Sequence, residues 1–288
     1  MNYMKTILTL ALAAASAAAA AQTPAINPMP DGSRDMYVGL GVVSTPRYEG
    51  SSERRLRPLP VIQVQWSNGI FISGMSAGMH LSNSPSLEFG PLLSVRPRRS
   101  ESGDGLGAIG ANAGTSNVSP PTLAPMGDAK TANRLNGMES IPARLQAGAF
   151  LNYYLSPGLR LTNSVLVGAG RDHNGALWNV DLQQTAGKAS PRHALALSAG
   201  LTFANRQYND SYFGVSLQEA FRGGKRPYAP GGGLNDVHAG VRWNWTLSPS
   251  WLLISNARVT RLTGDAKRSP LVDGNTKYTV STALAYRF

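Results

Sequence analysis

The side chains able to do chemistry are few and scattered. No cysteine occurs, which removes disulfides, thiolate metal sites and a Cys nucleophile. The four histidines, His80, His173, His193 and His238, fall in four separate segments. The nearest approach to a catalytic pair is Asp236 with His238, two residues apart and so on one face of an extended strand. A hydrolase would also need a Ser within reach of that imidazole and a third orienting group. No Ser stands at a spacing that marks it as a nucleophile. Close groups of His and carboxylates suited to a metal are missing as well. The Gly231-Gly232-Gly233 run lacks the strand-loop-helix setting of a phosphate cradle. These residues point away from an enzyme, and toward a protein without metal or cofactor.

Charge is the second resource. The chain of 288 residues carries 27 basic and 16 acidic side chains, a net charge of +11, and Arg dominates the basic set. One group of charges, Arg144, Arg160, Asp181, Asp236, His238, Arg242 and Arg258, lies inside alternating apolar segments, opposite apolar neighbours. A second forms three clusters near the ends of such segments: Arg54, Arg55 and Arg57; Arg96, Arg98 and Arg99; Arg222, Lys225 and Arg226. Guanidinium forks match phosphate in a bidentate manner, which suits lipopolysaccharide. Solvated loop ends explain the same clusters equally well, because exposed charges contribute little to stability.

The elements that must position these charges are strands. The last twelve residues place Tyr278, Val280, Thr282, Leu284, Tyr286 and Phe288 on one face, with Thr279, Ser281, Ala283, Ala285 and Arg287 on the other. A period of two with aromatics at both ends suits a strand crossing a thin apolar layer. The same alternation recurs around 143–153, 159–167, 195–203 and 237–247. Further candidate strands are 37–43, 56–66, 70–81, 86–96, 176–185, 208–217 and 251–262. No helical period competes. In a soluble sandwich the mid-strand charges would face water; in a membrane barrel they line the lumen.

The N-terminus decides between these. Lys5, an apolar run over 7–15 and a small-residue stretch ending Ala19-Ala20-Ala21 have the layout of a signal peptide over 1–21. That apolar run is too short for a membrane helix, which needs about 20 residues. Export excludes nucleic acid as the partner of a basic chain. The expected protein is all-β, a transmembrane antiparallel β-barrel of the bacterial outer membrane. It has a short periplasmic segment over 22–36, a barrel over 37–288, and long loops near 98–138, 219–234 and 264–276. Ten or twelve strands fit, with twelve preferred. Treating 208–217 as a strand places the 98–138 loop on the periplasmic side, and treating it as loop leaves the first strand unpaired in direction.

Three stretches resemble the MltA-interacting protein / outer-membrane protein V (MipA/OmpV) family of Gram-negative bacteria. The first is Val38-Gly-Leu-Gly-Val-Val-Ser-Thr-Pro-Arg-Tyr-Glu-Gly50, followed by Pro58-Leu-Pro60. The second is Tyr212-Phe-Gly-Val-Ser216 with Tyr228-Ala-Pro-Gly-Gly-Gly-Leu-Asn-Asp-Val237. The third is Arg261-Leu-Thr-Gly-Asp-Ala-Lys-Arg-Ser-Pro-Leu-Val272, leading to the terminal Tyr286-Arg-Phe288. The ending with Tyr286 and Phe288 also resembles the signal that the barrel-assembly machinery reads. The resemblance implies an outer-membrane scaffold that tethers a murein lytic transglycosylase and a murein synthase, among outer-membrane lipid and lipopolysaccharide. It supplies no catalytic residues. Read from the residues alone, the Arg47-Tyr48-Glu49-Gly50 run is a loop-to-strand corner rather than a binding site. A narrow, anion-preferring channel and a surface adhesin or receptor acting through the 98–138 and 219–234 loops are the competing readings. A scaffold predicts a lumen plugged by Arg–Asp pairs, and a channel predicts an open lumen lined by Arg.

Overall fold

The computed structural model describes residues 29, 31, 33, 35–82, 84–101, 103–105, 134–190 and 192–288. The expected signal peptide and residues 106–133 of the first long loop lie outside the described residues. Twelve antiparallel strands close into a barrel. In chain order they are β1 (Tyr37–Pro46), β2 (Arg54–Gln65), β3 (Ile70–Ser73), β4 (Ser76–Met79) and β5 (Leu87–Arg96), then, after a side hairpin, β8 (Arg144–Ser156), β9 (Leu159–Ala169), β10 (Gly175–Ser190), β11 (His193–Ala204), β12 (Gly233–Ser248), β13 (Trp251–Leu262) and β14 (Thr276–Arg287). The side hairpin is β6 (Arg98–Ser100) with β7 (Gly103–Gly105). Pairing of β1 with β14, Tyr37 opposite Arg287, closes the ring.

The strand number agrees with the preferred count, but the assignment differs at two places. Residues 70–81 form two short strands, turned at Gly74, whose positive φ of 60° suits a residue without a Cβ. Residues 208–217 form no strand. They belong to helix α1 (Arg206–Phe213) and the start of α2 (Leu217–Gly223). The extra turn in one place and the missing strand in the other cancel in number. Together they restore a consistent direction and put all three long connections at one end, here the loop end. The second long connection therefore begins at 205, earlier than expected. The opposite, turn end holds the tight connections at 157–158 and 249–250 and the start of β1.

Local chemistry explains the helices. The Asn205 side chain accepts from the Tyr208 amide and caps α1, while Ser216 and Glu219 form a reciprocal capping box on α2. Tyr208, Tyr212 and Phe213 then share one helical face and pack on Ile141, Leu177 and Leu262 at the barrel mouth. A short α3 (Gly264–Arg268) adds Ala266 to that cluster.

The outer wall is apolar. Leu40, Leu145, Val165, Leu197, Val241 and Leu284 are exposed, and aromatics gather at both ends. Toward the turn end His193, Trp243 and Trp245 stack and Trp251 meets Tyr286 edge-on; toward the loop end Trp178 stacks on Phe203. Such girdles mark the two interfaces of a membrane-spanning barrel. The lumen has two sides of different character. Across β13, β14, β1 and β2 it holds an apolar cluster, with Tyr37, Leu59, Val61, Leu252 and Ile254 packed on Ala283 and Ala285. Across β8 to β12 it is polar.

Candidate functional site

The polar side of the lumen gathers the charges singled out from the sequence. Arg160, Asp181, Asp236 and His238 are buried on the inner face, and Arg144, Arg242 and Arg258 occupy the inward register beside them. Their partners fall into three tiers along the barrel axis.

At the turn end the chain before β1 enters the lumen. Asp31 is buried; its Oδ2 lies 2.9 Å from Arg242 Nη1 and accepts from the Tyr37 hydroxyl at 3.2 Å. Gln183 Nε2 donates to the Asp31 carbonyl at 3.0 Å, and Arg160 Nη1 donates to the Met29 carbonyl at 3.3 Å. Gln63 Nε2 donates to the Asp35 carbonyl at 2.9 Å. Five strands thus grip the described residues of this short segment, part of the 22–36 stretch that the sequence assigns to the periplasmic end. Beside it Glu88 accepts from Asn152 Nδ2 at 2.8 Å and from the Tyr154 hydroxyl at 2.6 Å, with His80 in ion-pair contact.

In the middle tier His238 sits between two carboxylates. Its Nδ1 is 2.9 Å from Asp236 Oδ1 and its Nε2 is 2.7 Å from Asp181 Oδ1. A ring donating from both nitrogens satisfies both. Register makes the second contact possible. Asp181 pairs with Gly200, and Gly200 pairs with His238, so the two side chains meet over the intervening strand. A Cβ on Gly200 would lie 2.5 Å from both Asp181 Oδ1 and His238 Nε2. Arg258 is held by Thr260, and its Nη1 has no hydrogen-bond partner among the described residues. Asp236 is the orienter read from the sequence; the second partner of His238 is a carboxylate rather than a serine.

At the loop end Glu49 is the hub. Its Oε2 lies 3.1 Å from Arg96 Nη2 and 3.0 Å from the Tyr208 hydroxyl, and its Oε1 lies 3.6 Å from Lys277 Nζ. All four residues are buried. The Arg96 guanidinium also lies 4.8 Å from the Tyr208 ring and 4.7 Å from that of Tyr212. Arg99 Nη1 donates to the Tyr212 carbonyl at 2.7 Å. Helix α1 is drawn into the mouth by these contacts. Glu49 belongs to the run read as a mere corner, and nothing in its spacing shows that β5, α1 and β14 converge on it. Arg144 caps the rim, donating to the carbonyls of Gly170 and Arg171.

The basic clusters divide. Arg57, Arg96 and Arg99 are buried and turned inward, so lipid phosphate cannot reach them, contrary to the expectation for these three. Arg54, Arg98 and Arg226 are exposed, and Arg55 is half-buried. Arg222 pairs with Glu139 at 3.4 Å, and Lys225 Nζ donates to the carbonyls of Asn136 and Gly223. Beside these an open cleft of about 410 Å³ is lined in part by Arg171, Asp210, Val215 and Tyr228.

Outside the spanning strands, Glu219 ties the cap together. It closes the α2 capping box, accepts from the Glu139 amide at 3.0 Å and lies 3.4 Å from Arg171 Nη1. Burial pushes its carboxyl up, but the amides of Glu139 and Ser216 and the Arg171 charge outweigh this and hold it below the ordinary value of 4.5.

An apolar wall, aromatic girdles and charges turned inward define an outer-membrane β-barrel protein. The family model described as MltA-interacting protein MipA matches residues 38–288, and the chain belongs to that family. It is 21% identical over 262 residues to the MltA-interacting protein of Escherichia coli K12, covering 90% of this chain and 91% of that one. It is 31% identical over 90 residues to outer membrane protein OmpV of Vibrio cholerae and 30% identical over 90 residues to Omp26La of Vibrio anguillarum. Those matches cover 31% of this chain and 34% of each relative, so the matched stretch spans about a third of their length. Among solved structures it is similar to the NanC porin, with a TM-score of 0.45, 9% identity and coverage of 88% of this chain and 100% of that one. It is also similar to the KdgM porin, with a TM-score of 0.43, 8% identity and coverage of 88% and 98%.

Two outcomes follow. Gly200→Ala overpacks the Asp181–His238 contact and lowers stability by about 1–3 kcal/mol, measured by urea unfolding in liposomes. Glu219 has a depressed folded-state pKa, so its stabilisation is present above the ordinary value of 4.5 and is lost as pH falls through the lower, folded value. Amide protection of α2 measured by hydrogen exchange therefore holds at neutral pH and drops below about pH 4.5; in Glu219→Gln it is low throughout and loses that pH dependence.

Proposed function

We propose that this barrel is a non-catalytic anchor whose working surfaces are its two ends rather than its lumen, and that it tethers murein-remodelling enzymes at the envelope. The observation that carries this reading is the closure of the lumen from both directions. Asp31 and its neighbours occupy the turn end, while α1 and the Glu49 hub occupy the loop end. Short turns belong on the periplasmic side and long loops outside, so the turn end faces the murein layer. The printed name of the Escherichia coli relative, MltA-interacting protein, supports a murein lytic transglycosylase as partner; a murein synthase completes the tether. The barrel-assembly machinery would be met in transit, through the strand ending in Tyr286 and Phe288.

A second reading has one observation in its favour. The plug is held by two ion pairs, Asp31 with Arg242 and Asp35 with Arg287, and a few hydrogen bonds, all reversible. Its withdrawal would leave Arg160, Arg242 and Arg258 lining a narrow, anion-preferring path.

The tether is tested with purified components. The refolded protein in nanodiscs, immobilised, should retain purified lytic transglycosylase, and through it or beside it the murein synthase. Retention no greater than on an unrelated outer-membrane barrel overturns the tether.

A further inference from the structure

We propose that the loop-end half of the wall between β2 and β5–β6 is a binding site for a phosphate-bearing lipid of the outer leaflet. The site exists because β3 and β4 are only four residues each. β2 pairs with β3 over Gln63–Gln65, and the Gly74 amide donates to the Ile62 carbonyl at 2.9 Å. On the other bank β5 pairs with β4 over Leu92–Ser94, and the Val95 amide donates to the Met75 carbonyl at 3.0 Å. Beyond that tip β2 continues through residues 54–61 with β1 on one side. Among the described residues no strand pairs with its other edge. Above, Arg47 Nη2 donates to the Glu101 carbonyl at 3.1 Å and joins the β1–β2 turn to the tip of the β6–β7 hairpin. Among the described residues the wall therefore has a window, bounded below by Gly74 and Met75 and above by that bond.

The sequence of the open edge fits a window that faces lipid. Ile62 directs its carbonyl to β3, and the unbroken register with β1 makes residues 58 and 60 point the same way. Both are proline, so the edge lacks two of the N–H donors that would stand unsatisfied in hydrocarbon. Side chains give the same indication. Leu56 is 72% exposed on the outward face, and Pro58 and Pro60 are exposed beside it, offering an apolar surface to an acyl chain. Arg54 on one bank and Arg98 on the other are exposed at the loop-end margin. Arg54 leans over β1, its Nε and Nη2 donating to Ser44 Oγ at 3.2 and 3.1 Å, which leaves Nη1 to turn toward a phosphate. Apolar surface below and two guanidinium groups above match an amphiphile with acyl chains and phosphate. The Pro58-Leu-Pro60 run thereby gains a physical reason.

The proposal takes the loop end as the outer side, and its test in symmetric vesicles works whichever way the barrel faces. The full mature protein is refolded in phosphatidylcholine vesicles containing either bisphosphorylated lipid A or lipid A stripped of phosphate. Co-purifying lipid is then counted by native mass spectrometry. Bisphosphorylated lipid A should be retained, and the stripped form should not. Arg54→Ala with Arg98→Ala should lower retention at least about tenfold, while Arg226→Ala should leave it unchanged. Inorganic phosphate should fail to displace the lipid. Folding of each variant is checked by its heat-dependent shift on gels. A benzophenone attached at Leu56→Cys gives an independent reading and should crosslink to lipid A. Equal retention of the two lipids, an unaffected double variant or absence of the crosslink overturns the site.

Discussion

A wall that turns its apolar side chains to lipid must turn its charges inward, and a charge left alone inside costs several kcal/mol. That constraint organises the lumen. Asp31 answers Arg242, Glu49 answers Arg96 and Lys277, and His238 lies between Asp181 and Asp236. Most of these pairs join segments remote in sequence. Two of them also recruit structure from outside the wall: the Asp31 pair holds the chain before β1, and the Glu49 hub holds α1. The same interactions that neutralise the interior thus draw in the groups that close it. The apolar side, from Tyr37 to Ile254, needs no such pairing and fills by packing.

The barrel was legible in the sequence because a period of two, with aromatics at strand ends, has few other uses over so many segments. The inward register of Arg160, Asp181, Asp236 and Arg242 was legible for the same reason. Their partners were not. Alternation says which side chains face the lumen, but which ones meet across it depends on stagger between strands and on what enters from the ends. Asp31 and Glu49 lie outside the alternating segments, so no strand pattern marks them. Residues 208–217 stay open between strand and loop on alternation alone, although the Ser216–Glu219 capping box marks a helix start there. The short hairpin at Gly74 misled because a four-residue strand is too brief to show a period.

Family membership and a lumen entered from both ends give the protein a consistent character. Its outer wall is apolar, and the charges of its interior are taken up by internal pairing. The cap has ties of its own, through Glu219, Arg171 and Glu139, besides those of α1 to the wall. Among the described residues, the edge of β2 above β3 and β4 has no strand beside it, and there proline and outward-facing arginine occur together.

Closure of the lumen is the central claim, and single-channel recording of the refolded protein in a planar bilayer tests it most directly. The account predicts a silent membrane, without steady conductance steps, at neutral pH and moderate voltage. Steady, anion-selective openings that weaken in Arg144→Ala or Arg242→Ala would contradict it, and would make the arginine-lined side of the lumen a path for small solutes.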